Sequence, residues 1–233
     1  MKISVMIPTL NEESRIGSLI DYLLANKGDC IIEIIVVDGG SSDRTIEILQ
    51  NKKVKYKKLE NACRAKQLNY GASMATGEVF YFVHADTYPP KTFTECIKSA
   101  IFNGFTSGCC AYEFDSNKKT LKLNSFFTQF KGFHTGGGDQ TLFVTKAIYN
   151  RLEGFNSEYT IMEDFEFTKR LRKISNYTIL KSKALVSARK YDHNSFLRVN
   201  IANLIAMIMF KIDFKPQRIQ SAYKKIIRYH GFN

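Results

Sequence analysis

One apolar segment in the first half of the chain limits the choice of fold more than any other. Residues 79–83 are consecutive β-forming residues, and the polar sequence His84-Ala85-Asp86 follows at once. An uninterrupted apolar strand is typical of a sheet that is covered on both faces. A carboxylate directly after such a strand lies where open α/β sheets bind ligands, and it can hold a divalent cation. The alternative is that Asp86 only begins a turn.

The rest of the N-terminal region alternates between strand and helix patterns. Apolar strand patterns at 3–7 and 31–37, and a short, more exposed one at 54–59, are separated by helical patterns. This alternation predicts βαβ units and a mostly parallel sheet with helices on both faces. The first strand is expected to stop at Pro8 because proline cannot donate a ladder hydrogen bond.

The second half of the chain is less regular but contains further elements. The patterns predict helices at 91–103, 118–133 and 161–173, and strands at 107–114, 141–144 and 177–187. An apolar helix over 196–214 and a basic tail follow. We therefore assign residues 1–190 to one α/β domain and residues 191–233 to a C-terminal helical appendage.

The charge and cysteine content restrict the partners and the compartment. The formal net charge of +12 favours an anionic partner. Nucleic acid is a poor candidate because the basic residues are scattered and no RNA-binding signature is present. The five cysteines show no CxxC pattern, which indicates a reducing cytoplasm rather than a disulfide framework. No apolar run reaches the length of a membrane span, and no signal peptide is expected.

Several polar side chains lie where strands end or helices begin. Asp38 follows the second strand and could accept a nucleobase N–H or simply cap a turn. Glu12 could serve a ligand or complement a helix dipole. Arg64 and Gln67 share a helix face near a start suited to phosphates, although a solvated arginine is the plainer interpretation. His84 alone is more often a core or supporting residue than a ligand.

Several segments in the right order resemble glycosyltransferase family 2. They are ISVMIPTLNEE, IIVVDGGSSDRT, the strand ending in HAD, and GF followed by MEDFEF. The combination of NACRAKQLNYGA, FVHADT, GGGDQTLFV and MEDFEFTKRLRK is most similar to a small bacterial subgroup of that family. The resemblance covers about residues 1–190. It implies a GT-A fold and a hexosyltransferase-type enzyme that moves a sugar from a nucleotide-sugar to an acceptor, with inversion and with Mn²⁺ or Mg²⁺.

The resemblance also implies roles for individual residues. Asp164 would be the catalytic base and Asp86 the metal ligand, as the last carboxylate of the family's DxD motif. The nucleotide site would be lined by Pro8, Thr9, Glu12, Asp38, Arg64, Gln67 and Ala85. His84, Asp139, Gln140 and Glu163 would support the site or meet the acceptor.

Two departures from the family pattern affect the donor prediction. His84 replaces the first Asp of DxD, and Gly39 follows Asp38 where the family often has a second acid. A UDP-sugar is favoured as the commoner donor, although a guanine could also donate to Asp38. The rival functions are a nucleotidyltransferase, which would normally carry a glycine-rich basic loop after the first strand, and an inactive nucleotide-sugar-binding protein.

The C-terminal segment permits two interpretations. An apolar helix followed by basic residues suits the surface of an anionic membrane at the inner face of the cell, where a lipid-linked acceptor would be found. A helix packed on the core or in a homodimer has the same sequence pattern.

Overall fold

A computed structural model describes residues 1–130 and 136–228 of the chain. The strands are β1 (Lys2–Thr9), β2 (Ile31–Asp38), β3 (Lys55–Lys58), β4 (Val79–Phe82), β5 (Thr87–Tyr88), β6 (Ser107–Phe114), β7 (Leu142–Thr145) and β8 (Tyr177–Val186). The helices are α1 (Ile16–Ala25), α2 (Thr45–Lys52), α3 (Arg64–Met74), α4 (Phe93–Phe102), α5 (Lys119–Phe127), α6 (Lys146–Arg151), α7 (Glu163–Ile174), α8 (Phe196–Lys211) and α9 (Pro216–Ile226).

The strands form one mixed sheet in the order β3-β2-β1-β4-β7-β6-β8-β5. Strands β3, β2, β1 and β4 are parallel, β7 runs antiparallel to β4 and β6, and β8 is parallel to β6. It follows that β1, β2, β4, β6 and β8 all point the same way. The predicted βαβ architecture is confirmed, and the carboxyl ends of these strands meet at one edge of the sheet.

The first strand continues through Pro8, so the predicted stop there is wrong. The Met6 carbonyl accepts from Val83 N (3.0 Å) on the β4 side of β1. Pro8 lies two residues further on and faces the same side, where β4 has already ended; its ladder partner is Val37 on the other side. The missing N–H therefore leaves no partner unsatisfied, and β1 reaches Thr9.

Helices cover both faces of the sheet, as the sequence predicts. Alternate residues of β1, β2 and β4 enter two separate apolar clusters, in agreement with the period of two in a strand. Helices α1, α2 and α4 pack on one face through residues such as Leu19 and Ile97, and α3, α6 and α7 pack on the other through residues such as Leu68 and Phe167. The sheet is therefore a buried central layer.

The C-terminal region is a helical hairpin, so the prediction of a single helix with a basic tail is wrong. Helix α8 ends at Lys211 rather than at 214, and the basic segment forms α9. Both helices contribute to a third apolar cluster that includes Val199, Ile219 and, from α5, Leu121. In the described ranges, no helix has the length and apolar character needed to cross a bilayer.

Three short or local features also depart from expectation. Strand β5 and helix α6 were not predicted, because two and six residues are too few for a periodic signal. The predicted helix 118–133 ends at Phe127, and its residues 131–133 lie outside the described part of the chain. The other predicted strands and helices agree with the structure to within a few residues.

The cysteines provide a test of this packing. All five are free; Cys109 and Cys110 are buried, whereas Cys30, Cys63 and Cys96 are partly accessible. Burial raises the pKa of Cys109 to about 12 and that of Cys110 to about 11, so almost no thiolate is present there near pH 8. We expect iodoacetamide to modify Cys30, Cys63 and Cys96 in the folded protein and all five cysteines in denaturant, as measured by mass spectrometry. Equal rates of iodoacetamide modification at Cys110 and Cys30 in the folded protein would contradict the burial of Cys110.

Candidate active site

Strand direction brings the predicted site residues to one edge of the sheet. Thr9 and Asp38 are ladder partners at the ends of β1 and β2, and residues 84–86 follow β4. Strand β7 runs in the opposite direction, so Asp139, just before it, lies at the same edge. Helix α7, which begins with Glu163 and Asp164, also presents its N-terminus there, since those acids contact residues of this edge. The structure therefore brings together acids that are distant in sequence.

Asp38 is fully buried and its carboxylate is already engaged. It accepts hydrogen bonds from the backbone of Gly40 (3.0 Å) and Ser41 (2.8 Å), from the Ser41 hydroxyl, and from Thr9 Oγ1 (3.2 Å). A carboxylate offers about four lone-pair sites, and these bonds use them. The geometry thus corresponds to the turn-capping alternative, and a nucleobase could reach Asp38 only by displacing one of these donors.

Four other residues predicted for the site act as supports in this structure. Gln67 is buried and donates to the carbonyls of Thr9 (2.7 Å) and Val37 (3.0 Å), which ties the ends of β1 and β2 to α3. Gln140 donates to the carbonyls of Cys110 (3.2 Å) and Thr128 (3.1 Å) and is equally buried. The remaining two, Pro8 and Ala85, are buried at the strand ends. These four residues are buried, and the two glutamines hold the strand ends and neighbouring loops in place.

Asp86 and Glu12 share one guanidinium group. Arg189 Nη2 lies 3.0 Å from Asp86 Oδ2, and Arg189 bonds both oxygens of Glu12 at 2.6 and 3.0 Å. Such two-pronged pairs between arginine and carboxylate are the strong, geometrically specific kind. Arg189, which follows β8, therefore links the predicted metal ligand to the loop after β1.

A second arginine holds the acidic start of α7. Arg64 Nη1 bonds Glu163 Oε1 at 2.7 Å, and Glu163 is 1% exposed with its other oxygen unpartnered. Burial alone would lower the pKa of Arg64. The negative charges of Glu163, Asp164 and Asp86 outweigh burial and raise this pKa, so the guanidinium stays charged. Both acids of α7 therefore lie close to Arg64.

His84 is neutral and lies beside the proposed base. Burial, followed by the positive charge of Arg64, lowers the pKa of His84 to about 3 even though Asp86 opposes the shift. Its Nε2 atom lies 3.7 Å from Asp164 Oδ2, which is too long for a hydrogen bond. His84 therefore does not neutralise Asp164 at physiological pH.

Asp139 lies in the wall of the same cleft. Its side chain is exposed to solvent although protein atoms surround it closely, a combination typical of a concave surface. That crowding, and next the charge of Asp86, raises the pKa of Asp139. Asp139 thus lies near the predicted metal ligand and is open to a ligand.

Arg189 is the site residue that the sequence analysis missed. It belongs to a short 3₁₀ turn, Arg189–Tyr191, just after β8. The rule that ligands bind beyond the carboxyl ends of parallel strands would have pointed to it, had the last strand been recognised as parallel to the first. The sequence pattern cannot give that direction, because it depends on the antiparallel β7 inserted between β4 and β6.

The donor set of the cleft suits a cation that arrives with phosphates. In the part of the chain that the structure describes, no three His, Cys, Asp or Glu side chains are grouped to hold a metal. Arg64 and Arg189 lie among the carboxyl groups of Glu12, Asp86, Asp139, Glu163 and Asp164, and Arg15 lies 4.0 Å from Glu12, so these acids outnumber the arginines. Mg²⁺-type ions are commonly bound by one or two carboxylates together with substrate phosphates. Asp86, whose side chain is 22% exposed, fits that role.

Comparison with known proteins identifies the family. The model of glycosyl transferase family 2 matches residues 4–201. The chain belongs to glycosyltransferase family 2. An uncharacterised glycosyltransferase of Rickettsia typhi is 25% identical over 206 residues, which are 82% of this chain and 64% of that protein. The chain thus spans less than two thirds of the length of this relative.

Solved structures of other sugar-transferring enzymes share the fold. A Staphylococcus aureus TarS fragment in complex with UDP-GlcNAc superposes with a TM-score of 0.67 at 20% identity, covering 97% of this chain and 71% of that one. A mannosyltransferase of Pyrobaculum calidifontis in complex with GDP-Man and Mn²⁺ gives 0.66 at 16% identity, with 96% and 69% covered. The predicted GT-A fold is confirmed.

The Arg64–Glu163 pair can be tested through stability. Arg64→Met leaves Glu163 buried without its partner and should lower the free energy of unfolding by about 1–3 kcal/mol, below the full cost of breaking a buried pair because Arg64 is 34% exposed. Glu163→Gln in the same chain should recover part of this loss. Urea denaturation of the four proteins of the cycle measures the coupling between the two residues.

The exposed pair Arg44–Glu13, at 3.4 Å, supplies the control. The same two substitutions there should show a coupling below about 1 kcal/mol. Equal couplings at the two pairs would mean that burial does not strengthen the Arg64 contact.

Proposed function

We propose that this chain transfers a sugar from a nucleotide-sugar, with a UDP-sugar favoured, to an acceptor hydroxyl by metal-assisted direct displacement with inversion. The observation that carries the proposal is the meeting of Arg64, Arg189, Asp86 and Asp164 at the carboxyl edge of the sheet. This edge is where α/β folds bind nucleotides. The TarS fragment with UDP-GlcNAc and the mannosyltransferase with GDP-Man, which share the fold, support a nucleotide-sugar donor.

The two arginines are suited to the donor diphosphate. Guanidinium groups bind phosphate oxygens in a two-pronged manner. Arg189 now pairs with Asp86 and Glu12, and Arg64 with Glu163, so both groups are held in the cleft before a donor arrives. Positively charged groups fixed in this way would stabilise the charge on the leaving nucleoside diphosphate at little reorganisation cost.

Asp86 would hold Mn²⁺ or Mg²⁺ together with the diphosphate. When bound, the ion would neutralise negative charge on the leaving group. The Mn²⁺ in the mannosyltransferase complex supports a divalent ion in this fold. Arg189 contacts Oδ2 of Asp86, so the ion would take Oδ1, which accepts a long hydrogen bond of 3.5 Å from Thr87 Oγ1.

Asp164 would take the proton of the acceptor hydroxyl. As that oxygen attacks the sugar's anomeric carbon, the bond to the diphosphate breaks, the electron pair leaves with the nucleotide, and the proton passes to the carboxylate. Asp164 is the second residue of α7, where the helix dipole favours a negative charge. Glu163, by contrast, is held by Arg64 at 2.7 Å and would act as a support. Asp139, which is exposed near Asp86, would meet the acceptor.

Asp86→Ala should abolish the metal-dependent part of nucleotide binding. We expect calorimetry with UDP and GDP to show tighter binding with Mn²⁺ than with chelator in the wild type and no such difference in the variant. Asp29→Ala, an exposed acid just before the opposite end of β2, should behave as the wild type does. The same metal effect in Asp86→Ala and wild type would exclude Asp86 as the ligand.

Asp164→Asn should lower turnover by roughly 10²-fold or more, the scale of general-base catalysis, and leave nucleotide affinity near normal. Glu163→Gln should reduce turnover less, because Glu163 contacts Arg64 rather than the acceptor. A panel of UDP- and GDP-sugars, scored first for metal-dependent hydrolysis, identifies the donor for these assays. Retention of most transferase activity by Asp164→Asn would show that another group accepts the proton.

A further inference from the structure

Helix α8 is apolar on two opposite faces, and only one of them is covered. The residues Val199, Ala202, Ala206 and Phe210 recur at helical spacing and are buried in the third apolar cluster with α9. The opposite face carries Leu197, Ile201, Leu204, Ile208 and Ile212, which we term the outer stripe. Their exposed fractions are 68%, 43%, 55%, 48% and 62%.

The outer stripe is a row of neighbouring exposed apolar side chains rather than a set of isolated ones. Single exposed apolar side chains are common, but contiguous apolar surface marks an interaction site. The stripe recurs every three or four residues from Leu197 to Ile212, so it runs about 22 Å along the helix at about 1.5 Å per residue. Within the described residues, nothing packs over these side chains sufficiently to bury them.

The surroundings of the stripe are basic. Between residues 196 and 228 the chain has seven lysines and arginines and one acid, Asp213. Lys215, Arg218, Lys224 and Lys225, all in or next to α9, are exposed. An apolar helix face flanked by cations is the arrangement of helices that lie in the interface of an anionic bilayer.

We propose that the outer stripe docks this protein on the surface of an anionic membrane, with α8 lying parallel to the surface and the cations of the hairpin near lipid headgroups. A second copy of the chain is the less suitable occupant. A two-fold dimer brings the same surface of each copy together, so two strongly basic hairpins would face each other. Anionic lipid headgroups instead complement the positive charge of the hairpin. The stripe is long enough to lie in the membrane interface, whereas α8 lacks the length and apolar character needed to cross the bilayer.

Vesicle flotation tests the proposal on the whole chain and does not depend on sugar transfer. Wild type should bind vesicles of phosphatidylcholine with phosphatidylglycerol at least about tenfold more than vesicles of phosphatidylcholine alone, and added salt should weaken this binding. Leu204→Gln/Ile208→Gln should reduce binding about tenfold or more because two apolar side chains no longer leave water. Lys224→Gln/Lys225→Gln should reduce only the preference for anionic vesicles.

Matched controls separate the stripe from general surface effects. Ile31→Gln/Phe102→Gln removes two apolar side chains that are 66% and 91% exposed elsewhere, and Lys91→Gln/Lys98→Gln removes two exposed lysines near or in α4. Both should bind vesicles as the wild type does. Because the substituted residues are exposed, circular dichroism and nucleotide affinity should be unchanged in all variants.

Two outcomes overturn the proposal. One is equal vesicle binding by the wild type and Leu204→Gln/Ile208→Gln, including the case in which neither binds. The other is a dimer in sedimentation velocity that Leu204→Gln/Ile208→Gln converts to monomer in the absence of vesicle binding, which would make the stripe a contact between copies. Loss of sugar transfer with vesicle binding intact would contradict the proposed activity alone.

Discussion

The site depends on two guanidinium groups that hold together a set of acids which would otherwise repel one another. Arg189 bridges Glu12 and Asp86, and Arg64 holds Glu163 close to Asp164. Removing an arginine from such a cleft would leave carboxylates with little water and no countercharge, which is the costly way to break an ion pair. Because acids outnumber arginines in this cleft, it could bind a cation together with a diphosphate, and the two would balance its charge.

A second set of buried hydrogen bonds supports these ion pairs. Asp38 ties the turn after β2 to Thr9, and Gln67 ties the same strand ends to α3. Buried polar groups destabilise a fold when they lack hydrogen-bond partners. When all of them have partners, the network makes the structure around it rigid. These bonds fix the strand ends that orient the arginines and acids. If a mutation at Asp38 or Gln67 weakened nucleotide binding, the first cause would be a shift of these strand ends.

The C-terminal hairpin is physically joined to the acidic start of α7. Its apolar cluster takes in Met162 and Phe165, the neighbours of Glu163 and Asp164 in the chain. Met162 has a left-handed backbone conformation (φ 66°), so the chain turns sharply just before the two acids. The apolar cluster against which this turn packs includes the inner face of α8, while the outer stripe lies on the opposite face. Helix α8 would therefore separate a surface bound to the outer stripe from the residues that pack beside the two acids.

The sequence by itself determined the alternation of strands and helices, the two-faced burial of the sheet, and the acids at the strand ends, because each of these follows from local periodicity or from a short motif. Only the tertiary structure decided how those side chains are used. Asp38 and Gln67 became internal supports, Glu163 and Asp164 came to share one cleft, and Arg189 met Asp86 across a separation of more than one hundred residues. Such contacts depend on strand direction and on the packing of α7 and β8, which no local pattern contains. The same limit applies to α8: its composition predicted an apolar helix, but only packing against α9 decided which face was buried and which was left exposed.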